Sequence, residues 1–123
     1  MAIIRNLDIK VLNAPGAIFD GEITTDKVKL DNGQAAHFVV TTGEGALKVV
    51  TANVYAVKEN KEPVMLQSAE IKVGASSTTR IVIAARELSR DEMDSVYLVI
   101  PSADADDING SIFVVLTNER YKG

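Results

Sequence analysis

Cysteine and tryptophan are absent from this chain of 123 residues, and it carries one histidine, three prolines, three phenylalanines and three tyrosines. Without cysteine there is no disulfide framework, no zinc-thiolate site and no cysteine nucleophile. A single histidine excludes the usual multi-histidine metal site, and the shortage of aromatic rings weakens a sugar-stacking platform. Basic clusters are missing too. Thirteen Lys and Arg against 17 Asp and Glu leave a net charge of −4, which disfavours a nucleic-acid partner. No stretch approaches the roughly 18 apolar residues of a membrane span, and the segment Met1 to Asn6 lacks the basic region, apolar stretch and cleavage site of a signal peptide. The expectation is a soluble protein with no membrane partner, not exported by that route.

What is present is an apolar fraction of 46%, enough for one domain to bury a core unaided by metal or disulfide. The period of that apolar content stays near two. Leu7, Ile9 and Val11 alternate with Asp8 and Lys10, predicting a short first strand with one buried face that ends at Asn13-Ala14-Pro15-Gly16. A second extended stretch runs from Glu22 to Leu30 with a bulge or bend near Thr25-Asp26, because Ile23 is out of phase with Val28 and Leu30. Asp31-Asn32-Gly33 is a tight-turn signal, predicting a hairpin between that stretch and His37 to Thr42. After Gly43-Glu44-Gly45, Val50, Ala52, Val54 and Ala56 share one strand face. Glu59 to Pro63 is a charged loop, then Ala69, Ile71 and Val73, and Ile81, Ile83 and Ala85, continue the alternation. Ser89 to Glu92 fits a capping box and predicts one helical turn over Ser89 to Asp94.

Two runs depart from alternation: Val96 to Ile100 and Ile112 to Leu116. A strand with one wet side shows polar residues at every second position, so these two belong mid-sheet, their outer sides covered by an arm or a neighbouring subunit. The acidic stretch Ser102 to Asn109 between them ends in a second Asn-Gly turn signal. Seven or eight strands with turns every eight to twelve residues predict an all-β protein, an antiparallel β-sandwich of immunoglobulin-like or jelly-roll-like kind. Residues 1–20 form an N-terminal strand or arm, and 21–123 a single sandwich domain.

Few residues could carry chemistry. His37 lies within a strand, without a motif that brings it a carboxylate and a nucleophile, and reads as a structural histidine on the wetter face. Asp104, Asp106, Asp107 and Asn109 resemble calcium ligands, but an EF-hand counted from Asp104 would place Ile108 fifth, Asn109 sixth and Val115 twelfth, where an oxygen donor, a glycine and a glutamate are needed. Gly43-Glu44-Gly45 lacks the lysine and helix of a phosphate loop. Asp91, Glu92 and Asp94 could be a carboxylate pair for sugar hydrolysis, but they lack an aromatic-lined cleft. The residues therefore predict no catalytic, cofactor or metal site and no enzyme activity. A ligand-binding sandwich of carbohydrate-binding or adhesin-like kind is the alternative to a packing module, with a small hydrolase using His37 third.

Four features carry a family resemblance: Thr25 to Gly33 leading into His37 to Gly43, the strand Val50 to Val57, Ala85-Arg86-Glu87-Leu88 before Val96 to Ile100, and Ile112 to Leu116 followed by Arg120-Tyr121. Over about a hundred residues from Thr25 onward, this order resembles small tailed-bacteriophage and prophage structural proteins of the head-associated or capsid-decorating kind. The resemblance implies a non-enzymatic β-sandwich in the virion, assembled in the host cytoplasm. Its partners would be the major capsid protein or another virion protein. It also implies a homo-oligomer, a trimer among the options, and no cofactor. The plain charged loop Val57 to Glu62 and the apolar N-terminus depart from that pattern.

Overall fold

The computed structural model describes residues 7–118. The expected Arg120-Tyr121 ending and the first six residues of the N-terminal arm lie outside that span. Within it the chain forms nine strands: β1 (Leu7–Gly16), β2 (Ile23–Thr24), β3 (Val28–Lys29), β4 (Gln34–Thr42), β5 (Glu44–Val57), β6 (Val64–Ala75), β7 (Thr78–Ala84), β8 (Ser95–Ile100) and β9 (Gly110–Asn118). A 3-10 turn covers Ile18–Asp20 and one short helix, α1, covers Ala85–Ser89.

Sheet I has the order β1-β9-β4-β7 and sheet II the order β2-β8-β5-β6, with β3 also pairing β8. Among the described residues every strand pair is antiparallel. Strands β2 and β3 share one edge position, so the nine segments fill eight places. Apart from that pair and the β5–β6 hairpin, each connection crosses from one sheet to the other, the winding of a jelly roll. The all-β sandwich expected from the period is the observed architecture.

The core lies between the sheets. Phe38 and Val40 of β4, Ile112 and Val114 of β9, and Ile81 and Ile83 of β7 face Ala52 and Val54 of β5, Ile71 and Val73 of β6, and Val96, Leu98 and Ile100 of β8, all buried. Each buried Val, Leu, Ile or Phe side chain among these contributes about 1.5–3 kcal/mol relative to an exposed one. The two apolar runs sit mid-sheet as expected, β8 between β2/β3 and β5, and β9 between β1 and β4.

Several local expectations are corrected. The stretch Glu22 to Leu30 does bend where predicted, but its two halves pair with β8, not with His37 to Thr42. Gly33 adopts the turn conformation, φ 84°, yet its turn carries the chain between sheets, and β4 takes β7 and β9 as neighbours. The helical turn falls at Ala85–Ser89 rather than Ser89 to Asp94, because Glu87 reaches back to accept the Ala84 N–H at 2.7 Å and satisfies a free donor at that start. Residues 91–93 then fold back onto the Leu88 and Ser89 carbonyls.

The first strand continues through Asn13 to Gly16 with two register shifts. Its Ile9 and Val11 are exposed, not buried. They oppose Val115 and Phe113 on the outer face, while Asp8 and Lys10 oppose the core residues Leu116 and Val114 at the sandwich rim. Asn109-Gly110 makes no positive-φ turn among the described residues. Gly110 instead opens β9, and Ala103, Ala105 and Ile108 of the preceding acidic loop are buried in the end of the core.

Candidate interaction face

The outer face of sheet I is assembled row by row from strand register. One row reads Ile9, Val115, His37, Val82, and the next Val11, Phe113, Val39, Arg80. Directly opposed residues of an antiparallel pair share a face. Six of these eight side chains are therefore apolar on a surface that no other layer of the described residues covers. Ile9 is 62% exposed, Val11 67% and Val82 37%, and Phe113, Val115 and Val39 are half-buried by one another. Isolated exposed apolar residues are ordinary, whereas a contiguous group on one sheet face marks contact with something else. Beside it, Ile9, Val11, Pro15 and Phe113 line a shallow apolar cleft of about 280 Å³.

Polar ties bound this face. His37 Nε2 lies 3.2 Å from Thr117 Oγ1, and Thr41 and Ser111 share a hydroxyl hydrogen bond of 2.7 Å. His37 thus stands at the centre of the face, half-buried and tied to a threonine. No carboxylate meets it among the described residues, so the geometry of a general base is not assembled there.

The outer face of sheet II is different in kind. Tyr55 and Tyr97 are directly opposed and their rings stack, with centroids 5.5 Å apart and planes 19° from parallel. Around them Ser68 donates to Asn53 Oδ1 at 2.7 Å. Half-buried Tyr97 and Val99 are thus flanked by their own strand neighbours, so the outer side of β8 is mixed where that of β9 is apolar.

The remaining candidates are placed apart. Asp104, Asp106, Asp107 and Asn109 are all exposed on the loop that closes one end of the sandwich. Ser102 ties that loop to the Asp20 carbonyl at 3.1 Å, and Ala103 donates to the Phe19 carbonyl at 3.0 Å. Among the described residues no three His, Asp or Glu side chains converge as a metal site would require. Gly43 forms the corner between sheets, its N–H donating to the Asn109 carbonyl at 2.6 Å, and β5 begins at Glu44. Glu92 bridges to Lys61 at 3.1 Å, and that hydrogen bond and charge, with the Lys58 charge behind them, hold its carboxyl below the usual glutamate range. Asp94 accepts from Ser95 at 3.1 Å. The Glu92 carboxylate thus braces the β5–β6 hairpin tip against the turn after α1, whereas Asp94 lies apart from it, lining a shallow cleft of about 280 Å³ with Lys27, Lys58 and Glu59.

Sequence reasoning pointed to the outer sides of β8 and β9 but missed Ile9, Val11, Val39 and Val82 as parts of one surface. Alternation shows that a strand has two faces without showing which is inside.

Among described residues no helix is long and apolar enough to cross a membrane. No protein-family model matches the chain, and no curated protein matches it in sequence. Solved structures share its fold. A prophage protein, YomS from the SPBc2 prophage, aligns with TM-score 0.57 at 11% identity, covering 95% of this chain and 97% of that one. A chain from the disulfide-linked pili of Bacillus endospore appendages aligns with TM-score 0.53 at 11% identity, covering 98% and 93%. A chain of infectious bursal disease virus, Gx strain, aligns with TM-score 0.52 at 12% identity over 94% of this chain but 33% of its own length.

Proposed function

We propose that this protein is a non-enzymatic structural component of a virion, a head-associated or capsid-decorating module of a tailed phage or prophage that works by adhesion to other virion subunits. The observation that carries the reading is the bare apolar face of sheet I, centred on Phe113, Val115 and Val39 and continued by Ile9, Val11 and Val82. Apolar area removed from water there supplies contact energy, and the acidic loop Asp104 to Asp107 at the sandwich end adds charge selection among partners. A jelly roll suits the role because its two layers satisfy the core internally and leave a whole sheet face for docking. Support also comes from the fold likeness to a prophage protein and to chains from a virus and from a pilus. The partner would be the major capsid protein or another virion protein, with self-association alongside, and the N-terminal residues 1–20 would belong to the contact region.

The test is co-sedimentation of the purified protein with capsid shells built from the major capsid protein of the same genome. Binding that is lost in Val39→Glu and Val82→Glu, with unchanged thermal unfolding, is the expected outcome. Sedimentation of neither wild type nor variant with heads or tails would overturn the reading.

The ligand-binding alternative has one observation in its favour, the half-buried aromatic pair Tyr55–Tyr97 on the outer face of sheet II. Each ring already spends one face on the other, which leaves little platform for a sugar. For that reason it ranks second.

A further inference from the structure

We infer that a second copy of this chain docks on the free edge of β1 through a two-fold axis at Ile9, joining the two copies of sheet I into one continuous sheet. The inference rests on the assembly reading and deepens it by naming one partner and one register.

Strand β1 pairs with β9 on one side and stands at the end of sheet I on the other. Its outward N–H and C=O groups are a template for another strand. Edges are commonly blunted by bulges and proline, and β1 has both, but only late: the register shifts begin after Val11, and Pro15 follows. Residues 7–11 keep a regular ladder with β9, Leu7 opposite Thr117 through Val11 opposite Phe113. Among the described residues, the regular part of the edge is therefore the part left open.

The sequence of that part is self-complementary under a two-fold. With the axis at Ile9, Ile9 faces its own copy, Leu7 faces Val11, and Asp8 faces Lys10 of the partner subunit in both directions. Opposite charges meet twice, and the apolar outer row runs unbroken from one protomer to the other. Neighbouring registers lose this match. A shift one way sets Asp8 against Asp8 and a shift the other way sets Lys10 against Lys10. Offsets by a single residue oppose an inward-facing side chain to an outward-facing one. Asp8, Ile9, Lys10 and Val11 are all exposed, so the pairing needs no rearrangement of the core. It leaves Phe113, Val115, Val39 and Val82 uncovered for a virion partner, so edge and face serve different contacts.

The experiment uses the full chain. Light scattering after size exclusion, from micromolar to millimolar concentration, is expected to show the mass of two chains. Asp8→Lys alone and Lys10→Asp alone should each return to one chain, because like charges then face each other twice. An equimolar mixture of those two variants should regain the dimer as a heterodimer, and the double variant D8K/K10D should regain it as a homodimer. Because the chain has no cysteine, Ile9→Cys provides a register probe. Opposed Cα atoms in an antiparallel pair lie about 4.5–5.5 Å apart, within reach of a disulfide. Val11→Cys would hold its two copies about 13 Å apart along the strands. Mild oxidation should therefore cross-link Ile9→Cys and leave Val11→Cys as single chains. A wild-type monomer throughout, a mixture that stays monomeric, or equal cross-linking of the two cysteine variants would each overturn the inference. None of these outcomes touches the capsid co-sedimentation of Val39→Glu and Val82→Glu, so the two readings fail separately.

Discussion

Gly110 and Phe19 meet so closely that a methyl group on Gly110 would overlap the edge of the Phe19 ring. The same methyl would also run into the Thr41 backbone carbonyl. Phe19 is fully buried, so its ring has nowhere to go, and a backbone oxygen within a β-ladder yields less than a side chain does. The glycine is therefore required for close approach where β9 begins, the 3-10 turn docks and the acidic loop ends. Gly110→Ala is expected to destabilise the fold by about 1–3 kcal/mol, as overpacking of a filled core does. Urea unfolding of the variant beside wild type measures it, and an unchanged midpoint would refute it.

Thr25 occupies the gap between β2 and β3, and its side chain carries the ladder across that gap. Its N–H donates to the Leu98 carbonyl and its hydroxyl accepts the Leu98 N–H, both at 2.9 Å. Thr25→Val keeps the shape and leaves the Leu98 N–H buried without its acceptor, at a cost of about 1–3 kcal/mol. Hydrogen exchange at the Leu98 amide should accelerate along with the loss of stability. An equal midpoint and an unchanged exchange rate would show that the hydroxyl is dispensable.

Glu92 makes a pH prediction with a definite sign. Its carboxyl is held low first by the Lys61 hydrogen bond, then by the charges of Lys61 and Lys58. A depressed folded-state value contributes stability above the unfolded-state value, and that contribution is lost as pH falls through the folded one. The group is fully exposed, so salt should weaken the effect. Carboxyl titration by NMR should place Glu92 below ordinary glutamates, and Lys61→Met should move its midpoint up. A midpoint indifferent to Lys61→Met would remove the link.

Much of the secondary structure was legible because strand alternation is local. The inward positions of β5 to β7 follow from a period of two, and the unbroken apolar runs of β8 and β9 marked those strands as central. The break at Thr25-Asp26 was visible as a phase slip. The position of α1 was misread because Ser89 and Glu92 form as good a cap signal as the one that operates, in which Glu87 alone bonds back to Ala84. Asn109-Gly110 was misread as a turn because a glycine needed for room and one needed for positive φ look identical in sequence.

By itself the sequence determined that the chain is an all-β domain with two internal strands near its end, since burial on alternate sides is written residue by residue. Tertiary structure alone decided which strands are neighbours and which side of β1 faces out. Both depend on how two sheets stack: the stretch Glu22 to Leu30 joins β8 because a jelly roll crosses between layers, although a local turn favours a hairpin. Ile9 and Val11 face solvent because β1 is the last strand of its sheet, with Asp8 and Lys10 at the rim. The interaction face exists only once β1, β9, β4 and β7 lie side by side, which no single stretch of sequence specifies.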